Sequence, residues 1–156
     1  MQTVTAVYVV RHAVAEDRDA DRWPDDALRP LTAEGEQRFR SAARGLRAIA
    51  PSVDTVLASP YVRAWQTAEI LYEETGWPSP ERCDRLEAWR RPDDAFDVIP
   101  GSGSVALVGH EPMLSGLVGL LVGTDLELDF KKGGVVLVED GVLRWYATPK
   151  ILRRIR

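Results

Sequence analysis

A chain of 156 residues, 45% apolar and 28% charged, suits one domain, 1–156, with a real hydrophobic core. Its formal net charge of −4 argues against nucleic acid as the main partner, because phosphate backbones select strongly basic faces. A single cysteine, Cys83, excludes an internal disulfide framework and leans towards a reducing cytoplasm; the apolar run 114–122 is too short to span a bilayer, and the opening segment has neither the basic region nor the cleavage site of a secretory signal.

The run Val7-Tyr8-Val9-Val10 reads as a first strand, about 5–10, covered on both faces and ending at Arg11-His12. A polar loop with Trp23-Pro24-Asp25-Asp26 follows. Thr32 then looks like a helix cap, with Glu34 and Glu36 in the first turn, where the helix dipole favours acid. Phe39, Ala42, Ala43, Leu46, Ile49 and Ala50 recur at helical spacing and give that helix one face for the sheet. Strand two is 55–58. Ser59-Pro60 reads as the cap and first position of a helix running to about Thr75, before Gly76.

A short strand and a weak helix lead to strand four, 105–108, closed by Gly109-His110. The next helix opens at Glu111-Pro112 and is expected to bury Met113, Leu114, Leu117, Leu120 and Leu121. Two last runs, 135–138 and 142–146, flank Glu139-Asp140-Gly141, a hairpin signal. Alternating strands and helices predict a three-layer α/β/α sandwich with a mainly parallel central sheet and an antiparallel edge.

Ligands of open α/β sheets sit outside the carboxyl ends of the strands. The chain's two histidines, His12 and His110, each follow such an end and so meet at one rim. Imidazole titrates near neutrality, so two at a rim beside Arg11 suggest nucleophilic or acid-base work on an anion. Arg63, in the first turn of a helix that begins where strand two ends, adds a forked guanidinium to free backbone N–H groups. Each feature alone has a plain alternative, a satisfied strand-end histidine or a solvated arginine; their strength is in combination. Charge is also uneven: acid gathers in 16–21 and at Asp25-Asp26, while the tail carries Lys150, Arg153, Arg154 and Arg156. Both read as solvated segments, and the tail also as a feature favouring phosphorylated or acidic partners.

The chain resembles the histidine phosphatase, or phosphoglycerate-mutase-like, superfamily. The resemblance is carried by Arg11-His12 after strand one, Arg29-Pro30-Leu31-Thr32 with Gly35, Ser-Pro-x-x-Arg-Ala-x-Gln-Thr-Ala at 59–68, and Val108-Gly109-His110-Glu111-Pro112. Its length, the Arg-Pro-Leu-Thr signature and the tail Pro149-Lys150-Ile151-Leu152-Arg153 are similar to SixA-type phosphohistidine phosphatases. The resemblance implies that His12 takes the phosphoryl group, giving a phosphohistidine intermediate that water hydrolyses to inorganic phosphate. Arg11, Arg63 and a protonated His110 would hold its equatorial oxygens. No cofactor or metal is expected: neither histidine sits in a HExxH pattern, and the cations already present would make Mg²⁺ redundant.

Ala13 stands where the family usually has glycine; its methyl narrows the approach of substrate to the backbone while leaving the N–H available. Glu87 lies in the segment after strand three from which ester-cleaving relatives supply a general acid, and reads equally as a solvated loop carboxylate. An alkoxide leaving group needs that proton, whereas phosphohistidine departs as imidazole, so a chain without a secure acid fits a phosphoramidate better. Only 14–28 and 85–100 remain to wall the site, which should therefore be open. That suits a phosphorylated side chain of another protein, although small phosphate esters could also enter.

Trp23 and Trp89 lie in those walls and read as entrance or core; Trp65, Trp77 and Trp145 are assigned to the core. Arg29, before Pro30, is given a supporting role at the phosphate, Ser59 that of a cap, and Glu111 either an arginine pair or a contact with substrate. The expected function is metal-independent removal of phosphate from protein phosphohistidine. Its rivals are a phosphomonoesterase of sugar or nucleotide phosphates and a non-catalytic phosphate-binding module.

Overall fold

The computed structural model describes residues 5–156. Strand β1 (Thr5–Arg11) leads through a 3-10 turn at Asp26–Leu28 to helix α1 (Ala33–Ile49). Then follow β2 (Thr55–Ala58), α2 (Val62–Thr75), β3 (Glu81–Arg82), a 3-10 turn at Asp84–Leu86, α3 (Pro92–Phe96), β4 (Gly103–Gly109) and α4 (Met113–Val122). The chain closes with β5 (Val135–Glu139), β6 (Val142–Ala147) and α5 (Pro149–Leu152).

The six strands form one sheet ordered β3-β2-β4-β1-β5-β6. The pairs from β3 through β1 are parallel, and β5 joins β1 antiparallel and pairs with β6 as the predicted hairpin. The period of two along β1 divides the core. Tyr8 and Val10 pack towards the cluster containing Phe39, Leu46 and Leu71, while Val7 and Val9 pack towards the one containing Leu114, Leu117 and Leu86. Helices on both faces complete the three-layer α/β/α sandwich.

Thr32 caps α1 by accepting from the Gly35 N–H at 2.8 Å. Two assigned core positions lie outside the core: Ile49 in the last turn of α1 is 42% exposed, and Leu120 is 43% exposed. The buried face of α4 is Met113, Leu114, Leu117 and Val118; Leu120 falls off it, and Leu121 is half-buried. Trp77 is buried, while Trp65 and Trp145 are partly buried against the core. The basic residues of the tail, Lys150, Arg153, Arg154 and Arg156, are exposed as expected, while Pro149–Leu152 is helical and anchored by the fully buried Leu152.

Candidate active site

Register brings the site together. In the parallel pair β1 and β4, Arg11 lies opposite Gly109, so His12 and His110 leave adjacent strands at the same level. The His12 N–H donates to the Gly109 carbonyl at 3.0 Å, and the Ser59 N–H donates to the Val108 carbonyl at 3.0 Å, which adds the end of β2 to the same rim. The rings of His12 and His110 lie 5.3 Å apart.

A cleft of about 460 Å³ opens here, lined by Arg11, His12, Arg29, Arg63, His110 and Lys132, with Glu16, Asp17, Arg18 and Glu111 at its sides. The walls come from the predicted segments, Ala15 to Arg18 on one side and Ala88 on the other. His12, Arg29, Arg63 and His110 are all at least nine-tenths buried.

Hydrogen bonds fix how these groups are presented. A carbonyl can only accept, so the 2.7 Å contact between His12 Nδ1 and the Ala13 carbonyl places a proton on Nδ1 and leaves the Nε2 lone pair free. Arg11 donates from Nη1 to the Phe130 carbonyl at 2.6 Å. Arg63 gives Nη1 to the Asp26 carbonyl at 2.9 Å and Nη2 to Asp26 Oδ2 at 3.0 Å. Asp26 Oδ1 accepts from Arg29 Nε at 2.9 Å, and Arg29 Nη1 donates to the Glu16 carbonyl at 2.7 Å. Three buried nitrogens of the cleft have no partner: Arg11 Nε, Arg63 Nε and His110 Nδ1. Buried polar nitrogens without partners are costly, and these three belong to residues that line the cleft.

Burial, reinforced by Arg63, Arg11 and Lys132, pushes His12 down to about 3 against the pull of its bond to Ala13. Burial, His12 and Arg63 push His110 down to about 2. In the free protein both rings are therefore neutral, and the protonated His110 expected opposite a transferring phosphoryl group belongs to the anion-bound state. A dianion in the cleft reverses that electrostatic balance. Burial would raise Asp26, but the bonds and charges of Arg29 and Arg63 outweigh it and hold the carboxyl below its ordinary value.

Three further expectations are corrected. The Ala13 N–H is not available to substrate, because it donates to Thr67 Oγ1 at 3.0 Å, and Ala13 does not line the cleft. Ser59 is no mere helix cap: α2 begins at Val62, and the Ser59 hydroxyl, fully buried, meets His110 Nε2 at 2.9 Å. Glu87 does not line the cleft either; its carboxylate faces Arg90 Nε at 3.5 Å, and its neighbour Ala88 takes the wall position. Glu111 lines the cleft with both carboxylate oxygens bonded to Ser115.

Neither wall tryptophan borders the cleft. Trp23 is half-buried under Arg22, and Trp89 is 65% exposed with the Arg90 guanidinium 4.1 Å from its ring. Sequence alone does not mark Asp26, Thr67 or Tyr61 as site residues; the Tyr61 ring lies edge-on to His110 with centroids 5.0 Å apart. For Asp26 and Arg29 a local signal existed, acid and base three residues apart ahead of a proline.

Fold and cleft together define an α/β phosphatase. The model of the histidine phosphatase superfamily, branch 1, matches residues 7–94, and the chain belongs to that family. An uncharacterized protein of Picosynechococcus sp. is 32% identical over 149 residues, covering 88% of this chain and 87% of its own. Among solved structures, the protein histidine phosphatase SixA complexed with tungstate superposes with a TM-score of 0.79 at 25% identity, over 93% of this chain and 97% of its own. A proposed SixA phosphohistidine phosphatase of Agrobacterium tumefaciens gives 0.81 at 23%, over 93% and 99%. No helix among the described residues is long and apolar enough to cross a membrane.

Proposed function

We propose that the protein removes phosphate from phosphohistidine on another protein, with His12 as the nucleophile. The observation that carries this reading is the geometry around one cleft. His12 is fixed with Nε2 unprotonated, and Arg11 Nε, Arg63 Nε and His110 Nδ1 are buried there without partners. These donors suit the equatorial oxygens of a phosphoryl group, with Arg29 supporting through Asp26. The tungstate complex of the SixA relative supports a tetrahedral oxyanion as ligand.

The Nε2 lone pair of His12 forms a P–N bond as the substrate's P–N bond breaks, and water then attacks phosphorus to release inorganic phosphate and restore His12. The leaving imidazole can be protonated at its distal nitrogen beforehand, and so departs neutral without a proton donor at the breaking bond. An alkoxide requires its proton at the departing oxygen. Glu87 does not line the cleft and Glu111 is occupied by Ser115, so the carboxylate arrangement favours the phosphoramidate over a small ester.

The test compares wild type with His12→Ala on a phosphohistidine-bearing protein and on a panel of phosphate esters, with acid-labile phosphoenzyme trapped by rapid quench. Fast loss of phosphohistidine, slow ester cleavage and a trapped intermediate, all absent in the variant, are expected. Preferential ester turnover would transfer the protein to metabolite chemistry, and oxyanion binding without turnover would leave a phosphate-binding module.

A further inference from the structure

Beside the catalytic cleft lies a second cavity, of about 320 Å³, that phosphoryl transfer leaves unused. Its floor is apolar, built from Ala13, Val14, Phe39 and Pro149. Its rim is basic: Arg38, Lys131, Lys132, Lys150 and Arg153 line it, and no acidic residue does. On a chain of net charge −4 this is a local reversal of sign. Arg38 is paired with Glu34 at 2.6 Å and Lys131 with Asp129 at 2.9 Å. Lys132, Lys150 and Arg153 have no ion-pair partner among the described residues.

The groove is built into the fold. Helix α5 lies tight against α1 because Gly45 has no side chain; a Cβ there would sit 1.8 Å from the Leu152 carbonyl oxygen. With Leu152 buried beneath it, α5 holds Lys150 and Arg153 on this face. Lys132 lines groove and cleft alike, and Val14, 43% exposed, carries the apolar floor to within two residues of His12. The cleft mouth is thus electrically polar, with Glu16 and Asp17 on one lip and the basic groove beside it. A nucleic acid backbone seated on the groove and cleft would meet those carboxylates. A small phosphate ester in the cleft has nothing to place in the groove.

We propose that this groove docks an acidic, amphipathic segment of the phosphoprotein whose phosphohistidine enters the cleft. The segment's apolar side chains rest on the floor, and its carboxylates face Lys132, Lys150 and Arg153. This rests on the protein-substrate reading above and adds to it a surface that recognises the substrate away from the reacting atoms. Complementary charge around a small apolar floor speeds encounter and sets orientation more than it adds affinity.

The experiment uses the double variant Lys150→Glu/Arg153→Glu, both exposed positions outside the cleft, with phosphoramidate as the small substrate and an acidic phosphohistidine-bearing protein as the large one. For the protein, kcat/KM is expected to fall at least ~10-fold at low ionic strength, through KM, with the deficit shrinking towards about 0.5 M salt as screening sets in. Phosphoramidate turnover should be unchanged, which also reports an intact fold. Lys150→Gln/Arg153→Gln should fall between. An unchanged rate on the protein, or equal losses on both substrates, overturns the docking surface while leaving the protein-substrate reading in place. Wild type that cleaves esters but not protein phosphohistidine overturns that reading, and the docking surface with it.

Discussion

Asp26 grips Arg63 twice, its backbone carbonyl taking Nη1 at 2.9 Å and its carboxylate taking Nη2 at 3.0 Å. Each terminal nitrogen of a buried guanidinium thereby gives one of its two N–H groups to Asp26, and Nε has no partner at all. Asp26 thus holds Arg63 and Arg29 in place, and under the proposed function it is a positioning residue.

Asp26→Ala keeps the carbonyl contact and loses the carboxylate. It should therefore weaken the site without emptying it, lowering kcat/KM by roughly 10- to 100-fold through misplacement of Arg63. A carboxylate this accessible, 46% exposed, is partly screened, so stability should fall by no more than about 1–2 kcal/mol. Asp26→Asn, retaining one acceptor, should recover part of both. Tungstate titration and denaturant unfolding measure them, and an alanine variant indistinguishable from wild type in tungstate affinity would return Asp26 to the status of a solvated loop acid.

Ser59 is expected to set the proton on His110. The Tyr61 N–H donates to the Ser59 oxygen at 3.2 Å, and the hydroxyl proton is free to be given to His110 Nε2 at 2.9 Å. A neutral His110 that accepts there carries its proton on Nδ1, the buried nitrogen awaiting a partner. Ser59→Ala is expected to release the tautomer, so that ¹⁵N spectra of the two histidines show His110 moving from the Nδ1–H form to a mixture, with kcat/KM down about tenfold for one lost donor interaction. A fixed Nδ1–H tautomer in the variant would show that the ring is oriented by packing alone.

What could be read from sequence and what could not divide along a physical line. Strand ends were legible because a continuous valine run bounded by a histidine has few other meanings, and parallel register then forces Arg11-His12 beside Gly109-His110. Contacts made between distant segments by short polar side chains left no local trace. Asp26 is one acid of several in its loop, and only the fold brings it to Arg63, 37 residues away. Ser59-Pro60 has the composition of a helix start, yet its hydroxyl is taken by a ring 51 positions away and α2 opens two residues after the proline. Glu87 sits in the expected segment, but Arg90, three residues on, is its nearer partner.

The two buried histidines should govern acid stability. Folded, they are held at about 3 and about 2; unfolded, each titrates near 6.5, so below that pH the unfolded chain binds more protons. Their contribution is complete above about 6.5 and falls by about 1.4 kcal/mol per pH unit for each ring as pH drops towards the folded values. Unfolding of the free protein measured from pH 7 to pH 4 should show this slope, His12→Ala should flatten it by one proton, and a bound oxyanion should reduce it by raising both rings. Proton spectra should show neither ring titrating between pH 5 and 8. A ring titrating near 6.5 in the free protein would mean that the cleft is far wetter than its burial implies.

Glu87 tests whether a proton donor is built into this cleft. Its carboxylate faces Arg90 Nε at 3.5 Å, and the residue of this segment that lines the cleft is Ala88. Glu87→Gln is therefore expected to change phosphohistidine turnover by less than about threefold, and to leave the slow ester rate alike, whereas loss of a general acid costs ~10²–10⁴. The comparison is sharpest with two esters of the same size but different leaving-group basicity, because an enzyme without an acid must lose rate steeply as the departing oxygen becomes more basic, and the variant must follow the same line as wild type. A Glu87→Gln line that parts from wild type only for the basic leaving group would place a proton from Glu87 at the departing oxygen. The segment around Ala88 would then have to rearrange when substrate binds, and ester hydrolysis would become the better account of the chemistry.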